Sequence, residues 1–193
     1  MEYTKDFENI IKAEGEKAEA LSILHINASS YFNKFYVLIN LPIIFLSSII
    51  GLLNALELFK YQNYVFSVIF VLLGVFKSID SFFSFAKRSE THRLISLNYK
   101  KIHKLISIQL SIERDKRINA KYLFKIITTD LQNISESEPL IPRRIINHFK
   151  DKYKDYNTAL PACCNGLTEI KIHIESKDDL SMQRKNTDPY IED

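Results

Sequence analysis

Clustered glycines, spaced cysteines and every familiar catalytic signature are missing from this chain, and each absence narrows what it does. The four glycines in 193 residues, Gly15, Gly51, Gly74 and Gly166, are far apart. A loop that cradles phosphate needs several together, so nucleotide binding of that kind is not expected. The two cysteines, Cys163 and Cys164, are adjacent, which leaves neither a Cys-x-x-Cys metal or redox motif nor a disulfide framework. The five histidines, His25, His92, His103, His148 and His173, are scattered, and each reads as surface or helix packing rather than as a ligand. Nucleophile elbow, Walker loop, dinucleotide fingerprint and His-Glu-x-x-His are all absent. The expectation is a protein that is not an enzyme and uses neither metal nor cofactor. A net charge of +3, from 26 basic and 23 acidic residues, gives no reason to expect nucleic acid as a partner. The first 34 residues are charged, without the apolar core of a signal peptide.

What dominates instead is residues 35–86, two long apolar runs around a short polar link. The first, FYVLINLPIIFLSSIIGLLNAL, is uncharged; about 22 helical residues reach roughly 33 Å, enough to cross a bilayer core. The second, YVFSVIFVLLGVFKSIDSFFSFA, is of similar length but carries Lys77 and Asp80. Two transmembrane helices, over 35–57 and 61–86, are therefore predicted. If the second span stops at Phe76, Lys77 sits at the inner interface with its stem snorkelling; if it reaches Ala86, both charges are deep and need a pair, a pore or a subunit contact. Lys87, Arg88, Arg93, Lys100, Lys101 and Lys104 follow the second run and Lys34 precedes the first, against Lys60 alone in the link. This asymmetry predicts a multi-pass integral membrane protein with both termini in the cytoplasm.

Within the first run, Pro42 removes one backbone donor and is expected to bend the helix. Beyond it Ser47, Gly51 and Ala55 recur every four residues, a small-residue ladder suited to close helix approach. A fold near Lys60 sets Ser47 opposite Gly74, with Ser78 a turn further along. The ladder then either holds the two runs together or packs between subunits. Asn40, Ser47 and Asn54 recur every seven residues, nearly on one face. Asn40 falls near Asp80 and Ser81 in the same fold, whereas Asn54 has no evident partner. The stripe is either interhelical packing or the lining of a water-filled pore.

Outside the membrane the periodicity is that of soluble helices. Residues 6–33 carry Phe7, Ile10, Ile11, Ala18, Leu21, Leu24, Ala28 and Tyr31 at three- and four-residue steps, with Gly15 the weak point and no proline before the apolar run. Further helices are predicted over 89–112, 118–134 and 143–153, the last opened by Pro142. Order beyond Asp155 is doubtful, although 168–175 alternates with period two like a short strand that needs a partner to pair with. The fold class is thus an all-α membrane protein: an N-terminal amphipathic helix (1–34), the hairpin (35–86), a cytosolic helical bundle (87–153) and a largely disordered tail (154–193).

The order of these parts resembles the SLATT family, two-transmembrane effectors of nucleotide-signalling conflict systems in bacteria that also occur in large DNA viruses. The likeness rests on Tyr36-Val-Leu-Ile-Asn-Leu-Pro42-Ile-Ile-Phe-Leu-Ser47-Ser48-Ile-Ile-Gly51, Ser89-Glu-Thr-His92-Arg, the helix over 99–110 and Glu138-Pro-Leu-Ile-Pro142-Arg-Arg-Ile-Ile-Asn-His-Phe149. The resemblance implies a pore-forming or membrane-disrupting effector whose hairpins oligomerise in the bilayer. On that reading Asn40, Ser47, Asn54, Lys77 and Asp80 line or seal the assembly, and Ser47, Gly51, Ala55, Gly74 and Ser78 pack it. The rival expectation is a tether, in which the hairpin only anchors the bundle and the tail recruits a protein partner.

Overall fold

The computed structural model describes residues 2–56 and 60–166. Among them every regular element is a helix, and two of the helices are long and apolar enough to cross a membrane. Helix α1, Lys5–Asn54, runs unbroken for 50 residues, through Lys34 and past Pro42, a length of about 75 Å. Its start is capped by Thr4, whose hydroxyl accepts from the Phe7 N–H, and Asp6 and Glu8 lie in the positive first turn. Helix α2, Gln62–Phe83, returns antiparallel along the apolar part of α1; Gln62 donates to the Leu53 carbonyl at one end and Lys77 to Asn40 at the other.

The second apolar helix stops at Phe83 rather than at Ala86. Ser84 adopts left-handed backbone angles, φ 50° and ψ 48°, a conformation that costs a non-glycine residue about 1–2 kcal/mol. Its N–H still bonds the Asp80 carbonyl and its hydroxyl donates to that of Ser81. Helix α3, Phe85–Ser111, begins at once beyond this joint and runs antiparallel to the polar half of α1. The chain is therefore built on two parallel-lying rods of similar length, one continuous and one jointed at Ser84.

Helix α4, Ala120–Ser135, closes the main core. Phe7, Ile11 and Ala18 from α1 meet Ile95, Ile102 and Ile106 from α3 and Leu123, Ile127 and Ile134 from α4. Gly15 belongs to this packing: a Cβ there would lie 2.9 Å from Ile106 Cγ2, so its small size is what lets α1 and α3 approach. At the far end Arg114 and Arg117, flanking a 3-10 turn, both bond Glu8 and hold its carboxyl down at about 2. Helix α5, Arg143–Tyr153, and the short α6, Ala162–Asn165, form a second cluster in which Phe149 and Cys164 cover Ala20 and Leu24. Within the described part of the tail, Leu160 and Cys164 pack into the groove between α1 and α5, while Tyr156 and its neighbours stay exposed. The strand expected over 168–175 lies outside the described residues.

Candidate functional site

Two polar constellations stand out in the packing between the rods, one in each half. In the polar half, α1 and α3 meet along a seam with near two-fold symmetry. The Ser22 and Ser96 hydroxyls each donate to the other's carbonyl, at 3.0 and 2.8 Å. One turn on, His25 Nδ1 lies 2.9 Å from His92 Nδ1, and one further turn on the Ser89 hydroxyl donates to the Ser29 carbonyl at 2.9 Å. Both imidazoles are buried, His25 fully and His92 to 1% exposure.

Glu138, in the loop between α4 and α5, completes the group. His25 Nε2 lies 2.7 Å from Glu138 Oε1, and the Tyr99 hydroxyl donates to Oε2 at 2.8 Å. Burial alone raises a carboxyl pKa, but the hydrogen bonds from His25 and Tyr99 outweigh it and hold Glu138 below its ordinary value. The charged carboxylate takes the Nε2–H of His25. A single hydrogen then occupies the space between the two Nδ1 atoms, and whichever ring carries it, His92 stays neutral. Burial and the neighbouring His25 accordingly push the His92 pKa down to about 4. Burial and Glu138 raise the Tyr99 hydroxyl, and burial beside Cys163 pushes the Cys164 thiol up to about 12. None of these groups is poised as a nucleophile.

Reading the histidines one at a time misses this seam. Its signal is nevertheless in the sequence: Ser-x-x-His-x-x-x-Ser occurs twice, as Ser22/His25/Ser29 and Ser89/His92/Ser96. Two copies of one spacing on antiparallel helices match serine to serine and histidine to histidine.

The second constellation lies in the apolar half, about two turns inside Lys34. Lys77 Nζ donates to Asn40 Oδ1 at 2.6 Å and to Asp80 Oδ2 at 3.0 Å, while Asn40 Nδ2 donates to the Tyr36 carbonyl at 2.9 Å. Asn40 and Asp80 are buried between the helices, but the Lys77 side chain is 57% exposed. Asn40 therefore meets the second helix at Lys77 and at Asp80, the latter the neighbour expected from simple pairing.

The remaining sequence-predicted residues are not gathered with these three. Ser47 is half-buried and bonds the Ile44 carbonyl of its own helix, and Asn54 is exposed at the end of α1. Gly51, Ala55, Gly74 and Ser78 are exposed, and a Cβ added at either glycine meets nothing within 4 Å. Those four residues are thus turned outward within the chain. Ile43, Ile50, Phe66, Ile69 and Leu73 are the more covered apolar positions of the two helices. Among the described residues no three histidine, cysteine or acidic side chains converge as a metal site. No family model, no curated protein and no solved structure matches this chain.

Proposed function

We propose that this chain is an integral membrane protein that crosses the bilayer twice, keeps both termini in the cytoplasm, and assembles through the outer face of its apolar helix pair into an oligomer that opens or perturbs the membrane. The observation that carries this reading is what the outer face leaves uncovered: the small residues Gly51, Ala55, Gly74 and Ser78, beside the half-open ion pair of Lys77 with Asp80. In lipid, small residues are where helices approach most closely. An ion pair left half open to hydrocarbon is stabilised further where water or a second helix covers it. A second copy, or a water-filled seam between copies, meets both needs.

The membrane itself is supported by burial. Only 11% of the most apolar stretch of α1 and 17% of that in the α2–α3 rod is buried within the chain, whereas the core helix of a water-soluble protein is mostly covered. Leu38, Ile44, Phe45, Val68, Val71 and Phe76 all lie open, an apolar surface far beyond what a soluble monomer tolerates. At 22 residues α2 alone matches the bilayer core. The surplus of cations after Phe83 supports the orientation, and the resemblance to two-transmembrane effectors implies the same class of role.

Full-length protein reconstituted in liposomes is expected to crosslink as a defined oligomer and to release entrapped small ions. Gly74→Leu should block both, and Lys77→Leu should change the release rate. Tight liposomes at high protein density contradict the reading. One observation favours a second reading, a tether: Asn40, Lys77 and Asp80 satisfy one another within a single chain, as a self-sufficient anchor requires. A tether stays monomeric and is indifferent to Gly74→Leu.

A further inference from the structure

A cleft of about 500 Å³ opens where α5 meets α1, at the level where α1 turns from polar to apolar. From α1 it is lined by Ser30 and Lys34 and then by Phe35 and Leu38; from α5, by Arg144 and His148. These positions recur at three- and four-residue steps, so two facing helix stripes build the walls. The upper wall is cationic and hydrogen-bonding, and the lower wall is apolar and open, with Leu38 at 69% exposure. Among the described residues neither Lys34 nor Arg144 pairs with a carboxylate. The cations also sit badly by themselves. Arg143 and Arg144 occupy the first turn of α5, which has no acidic residue, so they face the positive end of that helix.

We propose that this cleft binds an anionic phospholipid, its phosphate held by Lys34 and Arg144 with His148 and Ser30 as hydrogen-bonding neighbours, and its acyl chain lying along Phe35 and Leu38. The assignment rests on the membrane reading above, because only a bilayer ending near Lys34 delivers a headgroup to that height. Charge complementarity selects the anion. The continuous apolar floor selects a lipid over a free phosphate, which has no use for it.

Native mass spectrometry of the full-length protein in detergent tests this, with dioleoyl phosphatidylglycerol, dioleoyl phosphatidylcholine and inorganic phosphate as probes. The wild type is expected to retain the anionic lipid about tenfold more than the zwitterionic one, and the double variant Lys34→Gln/Arg144→Gln to lose that preference. Lys87→Gln/Lys100→Gln, which removes two cations outside the cleft, should keep it. Equal retention of the two lipids by the wild type, loss of preference in the control pair, or displacement of the anionic lipid by millimolar phosphate overturns the proposal. Helical circular dichroism of each variant separates lost binding from lost fold. Alkaline extraction of cell membranes separates the premises: a protein that stays in the pellet yet shows no lipid preference refutes the cleft alone, and one that is extracted refutes the membrane reading.

Discussion

His25 and His92 touch through their Nδ1 atoms in a dry interface, and that contact is sensitive to acid. The groups that face the pair are Glu138 from the α4–α5 loop, Tyr99 on the same helix as His92, and Arg88 one turn before it. His92 is held at about 4 against an ordinary value of 6.5. Between those two values the unfolded chain accepts a proton that the folded chain refuses, so stability falls as pH drops through this window. Glu138, held below its ordinary value, acts with the same sign: the stability it contributes is present above about pH 4.5 and is lost as pH falls further. The loss expected from His92 is on the order of 2–3 kcal/mol. Thermal melts of the detergent-solubilised protein should therefore be markedly lower near pH 4.5 than at pH 7. His92→Gln, which keeps a polar side chain but does not titrate, should flatten that difference. Parallel pH profiles for the two proteins contradict the assignment.

At the scale of elements, Glu138 ties the loop between α4 and α5 to both long rods, through His25 and Tyr99. Glu138→Gln keeps its size but removes its charge and one of its two acceptor oxygens, so it can no longer accept from both His25 and Tyr99, at a cost of about 1–3 kcal/mol. Hydrogen exchange should accelerate across α5 while the α1–α3 core around Ile11, Ile102 and Ile106 stays protected; unchanged exchange in α5 refutes the role. Much of the element order is legible in the sequence, because apolar periodicity and the proline at 142 mark helices locally. The stretch read as 143–153 is a helix over those same residues. What is not legible is set by tertiary contact. Nothing in residues 81–86 announces that Ser84 turns left-handed, since a serine there continues a helix equally well by itself. The outward turn of Gly51 and Gly74 depends on which face of each rod the bulkier Ile50, Phe66 and Leu73 claim. Cys164 is ordered by the groove it fills, beyond the reach of any local pattern.

For the molecule as a whole, one long helix and one jointed helix lie side by side, with a water-compatible bundle at one end and an uncovered apolar pair at the other. Their division falls near Lys34 on α1 and Ser84 on the return, where charged residues give way to apolar ones on both rods. The all-helical class and the two long apolar helices are plain in the sequence, because a long apolar helix is written as uninterrupted composition. The paired histidines are written too, but only as a repeated spacing whose meaning appears once two helices run antiparallel. Whether the apolar pair crosses a bilayer can be measured directly. In a Cys163→Ser/Cys164→Ser background, Lys60→Cys and Lys101→Cys can each be challenged with a membrane-impermeant maleimide on sealed vesicles of known orientation. A pair that spans the bilayer lets position 101 react only from the cytoplasmic side and position 60 only from the other; labelling of both positions from the same side rules out the two-span topology.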